Sequence, residues 1–323
     1  MKILIIGAAG MVGRKLAEKL AKDGSLGGKS ISSMTLYDVV PPEVPAAQFE
    51  IEALTGDLPA AGEAEKLVAG RPDVIFHLAA IVSGEAEQDF DKGYRINLDG
   101  TRHLFDAVRV AQYSPRVVFT SSIAVFGAPF PEAIYDDFHT TPLTSYGTQK
   151  AIGELLLSDL TRRGIFDGVA IRLPTICVRP GKPNKAASGF FSNIIREPLA
   201  GQEAVLPVSE DVRHWHASPR SAVGFLIRAG EIDGAAIGSR RALTMPGVSV
   251  TVGDQIVALR NVAGDKVAAR IKRVPDQMII DMVGGWPRNF DAARAIELGF
   301  KAEKSFEEII QAHIEDELGG RIA

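Results

Sequence analysis

Residues 2–13 read KILIIGAAGMVG, and this stretch decides the fold. Lys2 to Ile6 is a short continuous apolar run, the pattern of a strand buried on both faces. Gly7, Gly10 and Gly13 follow at three-residue spacing, and Leu16, Leu20 and Ala21 then recur with a helical period. The stretch therefore reads as strand, glycine turn and helix. In that context Gly7 permits a tight turn, Gly10 lets a phosphate approach the backbone, and Gly13 lets helix and strand pack closely. The helix start at Met11 and Val12 offers free N–H groups and a positive dipole end to a pyrophosphate. Without the flanking strand and helix, the glycine spacing would indicate only a tight turn.

The following strands extend this unit. Met34 to Asp38 is a second strand, and Asp38 is placed to accept hydrogen bonds from an adenosine ribose. Its carboxylate would repel a 2′-phosphate and no arginine follows it, which favours NAD over NADP. Phe49 to Thr55 reads as a third strand. Asp57, followed by Leu58, then meets the adenine amino group or caps the next helix; both are assigned to the cofactor side. Val74 to Ala80 is a fourth strand whose end, Leu78, Ala79 and Ala80, is small enough for a flat ligand to lie against it. His77 reads as a packed polar residue. Ser83 lies at this strand's carboxyl end, where ligands bind in such sheets. Glu87 to Gln112 reads as one long helix. Asn97 within it is unfavourable by propensity, so it has a buried hydrogen-bonding task, at the cofactor, or faces solvent.

The run VVFTSSIAVFG (117–127) is a fifth strand closing on Ser121 and Ser122. Tyr146 and Lys150 are four residues apart and share a helix face. A strand-end serine, a tyrosine and a lysine form a proton-transfer unit. The phenol ordinarily loses its proton near pH ~10, and a neighbouring ammonium would lower that value. Tyr146 is then the base, Ser122 holds the substrate oxygen, and Ser121 lies on the cofactor side. On its own, Tyr-x-x-x-Lys would be two surface residues of a helix start. Gly168 to Leu173 is a sixth strand. The alternation predicts an α/β fold with a doubly wound parallel sheet and right-handed crossovers.

At Pro174 the character changes. Pro174, Pro180, Pro183 and Pro198 imply irregular structure and short helices. The expected division is an NAD-binding Rossmann domain over 1–173 and a smaller α+β substrate-binding region over 174–323. About 218–246 returns to the first sheet through a strand at Ala242 to Met245. Helices are expected at Thr251 to Val262 and Asp276 to Met282, with a strand over Lys266 to Val274 between them. The 46% apolar content supports a sizeable core, and the net charge of −4 gives no electrostatic case for nucleic acid or an anionic membrane. Cys177 is the single cysteine, so no intrachain disulfide and no thiolate metal cluster is expected. A cytoplasmic homodimer acting on a small molecule, with NAD and no metal, follows as the expectation.

Together these residues resemble the extended short-chain dehydrogenase/reductase superfamily, which includes nucleotide-sugar epimerases and dehydratases. The likeness rests on the glycine triad, His77 to Ala80, Asn97 with Gly100 and Thr101, and Ser122, Tyr146 and Lys150. Asp291, Arg294, Ala295 and Leu298 to Phe300 resemble its closing helix. The resemblance implies a Rossmann fold, bound NAD, and a Ser–Tyr–Lys centre in which Lys150 also holds the nicotinamide ribose. One departure is informative. Where nucleotide-sugar enzymes have Arg-Tyr-Phe-Asn after the sixth strand, this chain has Arg172-Leu173-Pro174-Thr175, which leaves Pro174 on the cofactor side and Thr175 on the substrate side. IVSGE (81–85) and VRHWHASPRS (212–221) are similar to the D-erythronate dehydrogenase group. That likeness implies oxidation of the C2 hydroxyl of a four-carbon sugar acid to a 2-oxo-tetronate, with Ser83 and Arg213 on the substrate and Arg213 gripping its carboxylate. Two readings stand beside it: a nucleotide-sugar epimerase or dehydratase with held NAD, and a non-catalytic dinucleotide sensor.

Overall fold

The computed structural model describes residues 1–181 and 188–323; Pro183 lies outside the described residues. Seven strands form one sheet: β1 (Lys2–Ile6), β2 (Ser33–Asp38), β3 (Glu50–Thr55), β4 (Val74–His77), β5 (Arg116–Ser122), β6 (Asp167–Leu173) and β7 (Ala242–Thr244). Their spatial order is β7-β6-β5-β4-β1-β2-β3, and every neighbouring pair is parallel. The strand order reverses between β1 and β4, which opens a crevice at the carboxyl ends of both.

The apolar runs of the strands are explained by helices on both faces. On one face Ile3 and Ile5 pack with Leu16 and Leu20 of α1 (Met11–Asp23) and with Phe225 and Leu226 from residues 219–231. On the other, Leu4 and Ile6 pack with Leu104, Phe105 and Val108 of α2 (Gly100–Ala111) and Leu157 of α3 (Ser145–Arg162). Each such side chain, fully buried, contributes about 1.5–3 kcal/mol. A separate core lies beyond β6. There Cys177 meets Phe191 and Ile194 of α4 (Gly189–Leu199) and Leu259 of a helix over 252–263. A small sheet of Val248–Thr251, Arg213–Ala217 and Thr175–Ile176 joins this region to the first.

Two expected elements differ. The helix expected over 87–112 is broken into Ser83–Gln88, Phe90–Gly93, a π-helical turn Tyr94–Asp99, and α2. The break is at Asp89, whose backbone is not helical (φ −127°, ψ 87°) and whose side chain accepts the Lys92 N–H. The strand expected over 266–274 is reduced to Ile271–Arg273, because Gly264 (φ 85°) stops the preceding helix and Asp265–Ala268 begins a new turn. Among the described residues no helix is long and apolar enough to cross a membrane.

Candidate active site

The glycine loop is built by close approach. Gly7 has φ +92°, and a Cβ there would stand 2.6 Å from the Ala79 nitrogen; a Cβ on Gly13 would stand 2.1 Å from the Gly7 oxygen. At Gly10 the nearest atom to such a Cβ is 3.4 Å away. Gly7 and Gly13 are therefore required by the protein itself, whereas Gly10 keeps space on the crevice side. The first backbone bond of α1 runs from Arg14 N–H to Gly10 C=O at 2.9 Å, so the amides of Met11, Val12 and Gly13 precede the ladder and point out of the helix start. Asp38 is held over this loop: its carboxylate accepts from Ala9 N–H at 2.9 Å and Val39 N–H at 2.7 Å. The cradle fits the pyrophosphate and ribose of NAD. Asp57 is tied instead to Arg95 at 2.7 Å, and Leu58 is buried beside Gly100.

Leu78, Ala79 and Ala80 are part-buried at the end of β4. The Leu78 and Ala79 amides donate to Ile6 C=O, which bends the chain across the crevice. Asn97 is buried rather than solvent-facing: it accepts from Ile81 N–H at 2.8 Å and donates to Gln149 of α3 at 2.8 Å. Ser83 opens the short helix Ser83–Gln88. His77 is packed against Thr101 at 2.8 Å, and burial, aided by the charge of Lys150, pushes its pKa down to about 3. It is a neutral interior residue.

Ser122 ends β5, and its oxygen accepts the Ala124 N–H at 3.1 Å. Thr144 caps α3 by accepting the Gly147 N–H at 3.0 Å. A Cβ on Gly147 would stand 2.1 Å from the Ala124 oxygen, so this glycine lets the first turn of α3 lie against the Ser122 turn. That contact brings Tyr146 beside Ser122. Lys150 donates to Thr120 C=O at 2.8 Å, and its nitrogen is 5.7 Å from the Tyr146 ring centre. Burial pulls the Lys150 pKa down to about 7, opposed by Glu154. Burial pushes the Tyr146 pKa up to about 12, opposed by hydrogen bonding to Ser122 and by the charge of Arg179. Lys150 is turned to Thr120, and its own charge is disfavoured by burial. Ser121 differs from expectation. Its hydroxyl donates to Glu154 at 2.5 Å, and Glu154 forms a buried two-point pair with Arg172 at 2.9 and 2.7 Å.

Pro174 is buried, and Thr175 is part-buried beside it. His214 lies 2.8 Å from Pro287 C=O through Nδ1, so that nitrogen carries the proton and Nε2 accepts the Thr175 hydroxyl at 2.7 Å. His216 is bonded to Gln255 at 2.9 Å. Burial lowers both imidazoles, His214 to about 4. Arg213 is exposed at the start of its strand, donates to Ser249 C=O at 2.9 Å and lies 3.7 Å from Asp254. It lines a cavity of about 700 Å³ with Glu132 and Arg288, and Ser122, Tyr146 and Lys150 do not line it. The strand's alternation turns Arg213 outward, whereas the charge of Arg179 opposes the burial of Tyr146. Gly147, Glu154 and Arg179 are the residues that sequence reasoning missed. An arginine directly after the apolar run Ile176 to Val178 was the available signal for the last.

The profile of the NAD dependent epimerase/dehydratase family matches residues 3–217. The chain belongs to that family. As a member it is an NAD-dependent enzyme, in agreement with the glycine cradle and Asp38. The chain is 47% identical to a D-erythronate dehydrogenase of Cupriavidus necator over 320 residues, 98% of each chain. It is 42% identical to a D-erythronate dehydrogenase of Haemophilus influenzae over 315 residues, 98% of this chain and 99% of the other. A crystal structure from Agrobacterium tumefaciens, described as a nucleoside-diphosphate-sugar epimerase, is 70% identical with a TM-score of 0.98, covering 100% of this chain and 96% of that one.

Proposed function

We propose that the protein oxidises the C2 hydroxyl of D-erythronate, a four-carbon sugar acid, to a 2-oxo-tetronate. The observation that carries this reading is the likeness to two D-erythronate dehydrogenases along nearly the full length of both chains. The site chemistry supports it. NAD, when bound, accepts the hydride from C2. Ser122 holds the substrate oxygen, and the Tyr146 phenolate removes the hydroxyl proton. Lys150 lies on the nicotinamide-ribose side. Products are the 2-oxo acid and NADH, and the proton leaves through Tyr146. Because burial raises the Tyr146 pKa, the ionised base accumulates as pH rises, so oxidation accelerates on the alkaline side.

The 70% identical structure described as a nucleoside-diphosphate-sugar epimerase favours a second reading, epimerisation with retained NAD. An epimerase returns its hydride, so net NADH separates the two. Purified protein given NAD and D-erythronate should form one NADH per acid consumed, followed by absorbance. Inversion of a nucleotide sugar, with no NADH from any four-carbon 2-hydroxy acid, would replace the first reading by the second. A non-catalytic sensor is disfavoured, because it has no use for the assembled Ser122, Tyr146 and Lys150.

A further inference from the structure

In a 2-hydroxy acid the carboxylate carbon is bonded directly to the carbon that loses hydride. Its anchor must therefore stand beside the base and cannot lie on an outer face. Arg179 is carried by the segment that follows β6, the strand paired with the Ser122 strand. β6 runs beside β5 with Leu173 opposite Ser122, and the chain then passes through Thr175–Ile176 to Arg179. The side chain folds back on this segment: Nε donates to Ile176 C=O at 3.0 Å, and Nη2 donates to Ser188 at 2.6 Å. The backbone is fixed as well, with Arg179 N–H donating to Ser192 at 3.0 Å and its carbonyl accepting from Arg196 at 2.7 Å.

The cation lacks an acidic partner. Among the described residues no carboxylate pairs with Arg179, and residues 182–187, KPNKAA, contain no acid. The neighbouring Arg196 is neutralised by Glu197 at 2.5 Å. The groups acting electrostatically on Arg179 are Cys177, Tyr146 and Arg196, and burial pulls its pKa down. An enclosed guanidinium without a counter-ion is costly unless an anion arrives to pair with it. Its planar fork suits a carboxylate. Arg179, Tyr146 and Ser122 are each part-buried, so each keeps some accessible surface.

We infer that Arg179 binds the substrate carboxylate beside Tyr146. This rests on the sugar-acid reading above. The same charge favours the phenolate, so Arg179 also sets where Tyr146 titrates, together with Ser122 and, from the same helix, Lys150.

The test uses the protein–NADH complex, in which D-erythronate binds without being oxidised, titrated by calorimetry. Arg179→Gln should weaken D-erythronate by about 10- to 100-fold, the loss of one or more charge-assisted bonds, while NADH binds unchanged. Arg179→Lys, which keeps the charge and loses the fork, should fall between. In oxidation assays Arg179→Gln should move the rising pH limb to higher pH, because removing a cation raises the tyrosine pKa, and Arg179→Lys should move it less. A merely structural role would leave the limb in place. If Arg179→Gln does not fold, the lysine variant decides: unchanged acid affinity in it overturns the inference. So does unaltered binding in Arg179→Gln, or loss of acid binding in Arg213→Ala alone. A parent protein that binds the acid through Arg179 but makes no NADH from it would sink the dehydrogenase reading and leave the anchor standing. NADH production with an unchanged KM in Arg179→Gln would do the reverse.

Discussion

Glu154→Leu probes the support beneath α3. Glu154 is 4% exposed and Arg172 6%, and the carboxylate receives three bonds: Ser121 Oγ at 2.5 Å, Arg172 Nε at 2.9 Å and Arg172 Nη2 at 2.7 Å. Leucine fills much of the volume but leaves the guanidinium buried and unpaired over the Phe126 ring. Breaking one side of such a pair costs about 3–5 kcal/mol, against a total stability of roughly 5–15 kcal/mol. With a urea slope of about 3 kcal/mol/M, the midpoint should fall by roughly 1–1.7 M in equilibrium unfolding. Glu154→Leu with Arg172→Met removes both charges and should recover most of that loss. A second readout is independent of stability. Glu154 holds the Lys150 pKa up against burial, so without it Lys150 loses its proton at a lower pH than about 7. The pH above which Lys150 is uncharged therefore moves down, and the double variant does not restore it. A single variant within about 1 kcal/mol of the parent, or a double variant no more stable than the single, would refute the reasoning.

Tyr146→Phe removes the proposed base and should lower turnover by roughly two or more orders of magnitude, with NAD affinity, measured by calorimetry, little changed. Gly13→Ala drives a Cβ to 2.1 Å from the Gly7 oxygen and should destabilise the fold. Gly10→Ala has ordinary clearance, so its melting temperature should hold while NAD binding weakens; thermal denaturation with and without NAD separates the two. Asp38→Ala should weaken NAD and relax discrimination against NADP, and a parent protein binding NADP more tightly would contradict the role of its carboxylate.

The first half of the fold was legible because its signals are local. The β1–α1 glycine spacing, the both-faces-buried strands and the i,i+4 pair Tyr146 and Lys150 each lie within a few turns of chain. Asp89 was not legible as a break, because the surrounding helical periodicity outweighs one capping carboxylate on paper but not in the backbone. Arg213 and Arg179 show the harder limit. Both are arginines near the sheet's carboxyl edge in sequence, and only the outward turn of one strand and the folding back of the other segment decide where each cation is placed. Gly147 was visible as a glycine but not as a point of contact, since its neighbour Ala124 is distant in sequence.

The Asn97 bridge has a mechanical consequence. By tying Ile81 to Gln149, it makes the end of β4 and α3 a single jig. Under the proposed mechanism, the distance over which hydride travels is then set inside the first core. The region beyond Pro174 has its own core around Phe191 and Leu259, so substitutions there leave this bridge intact.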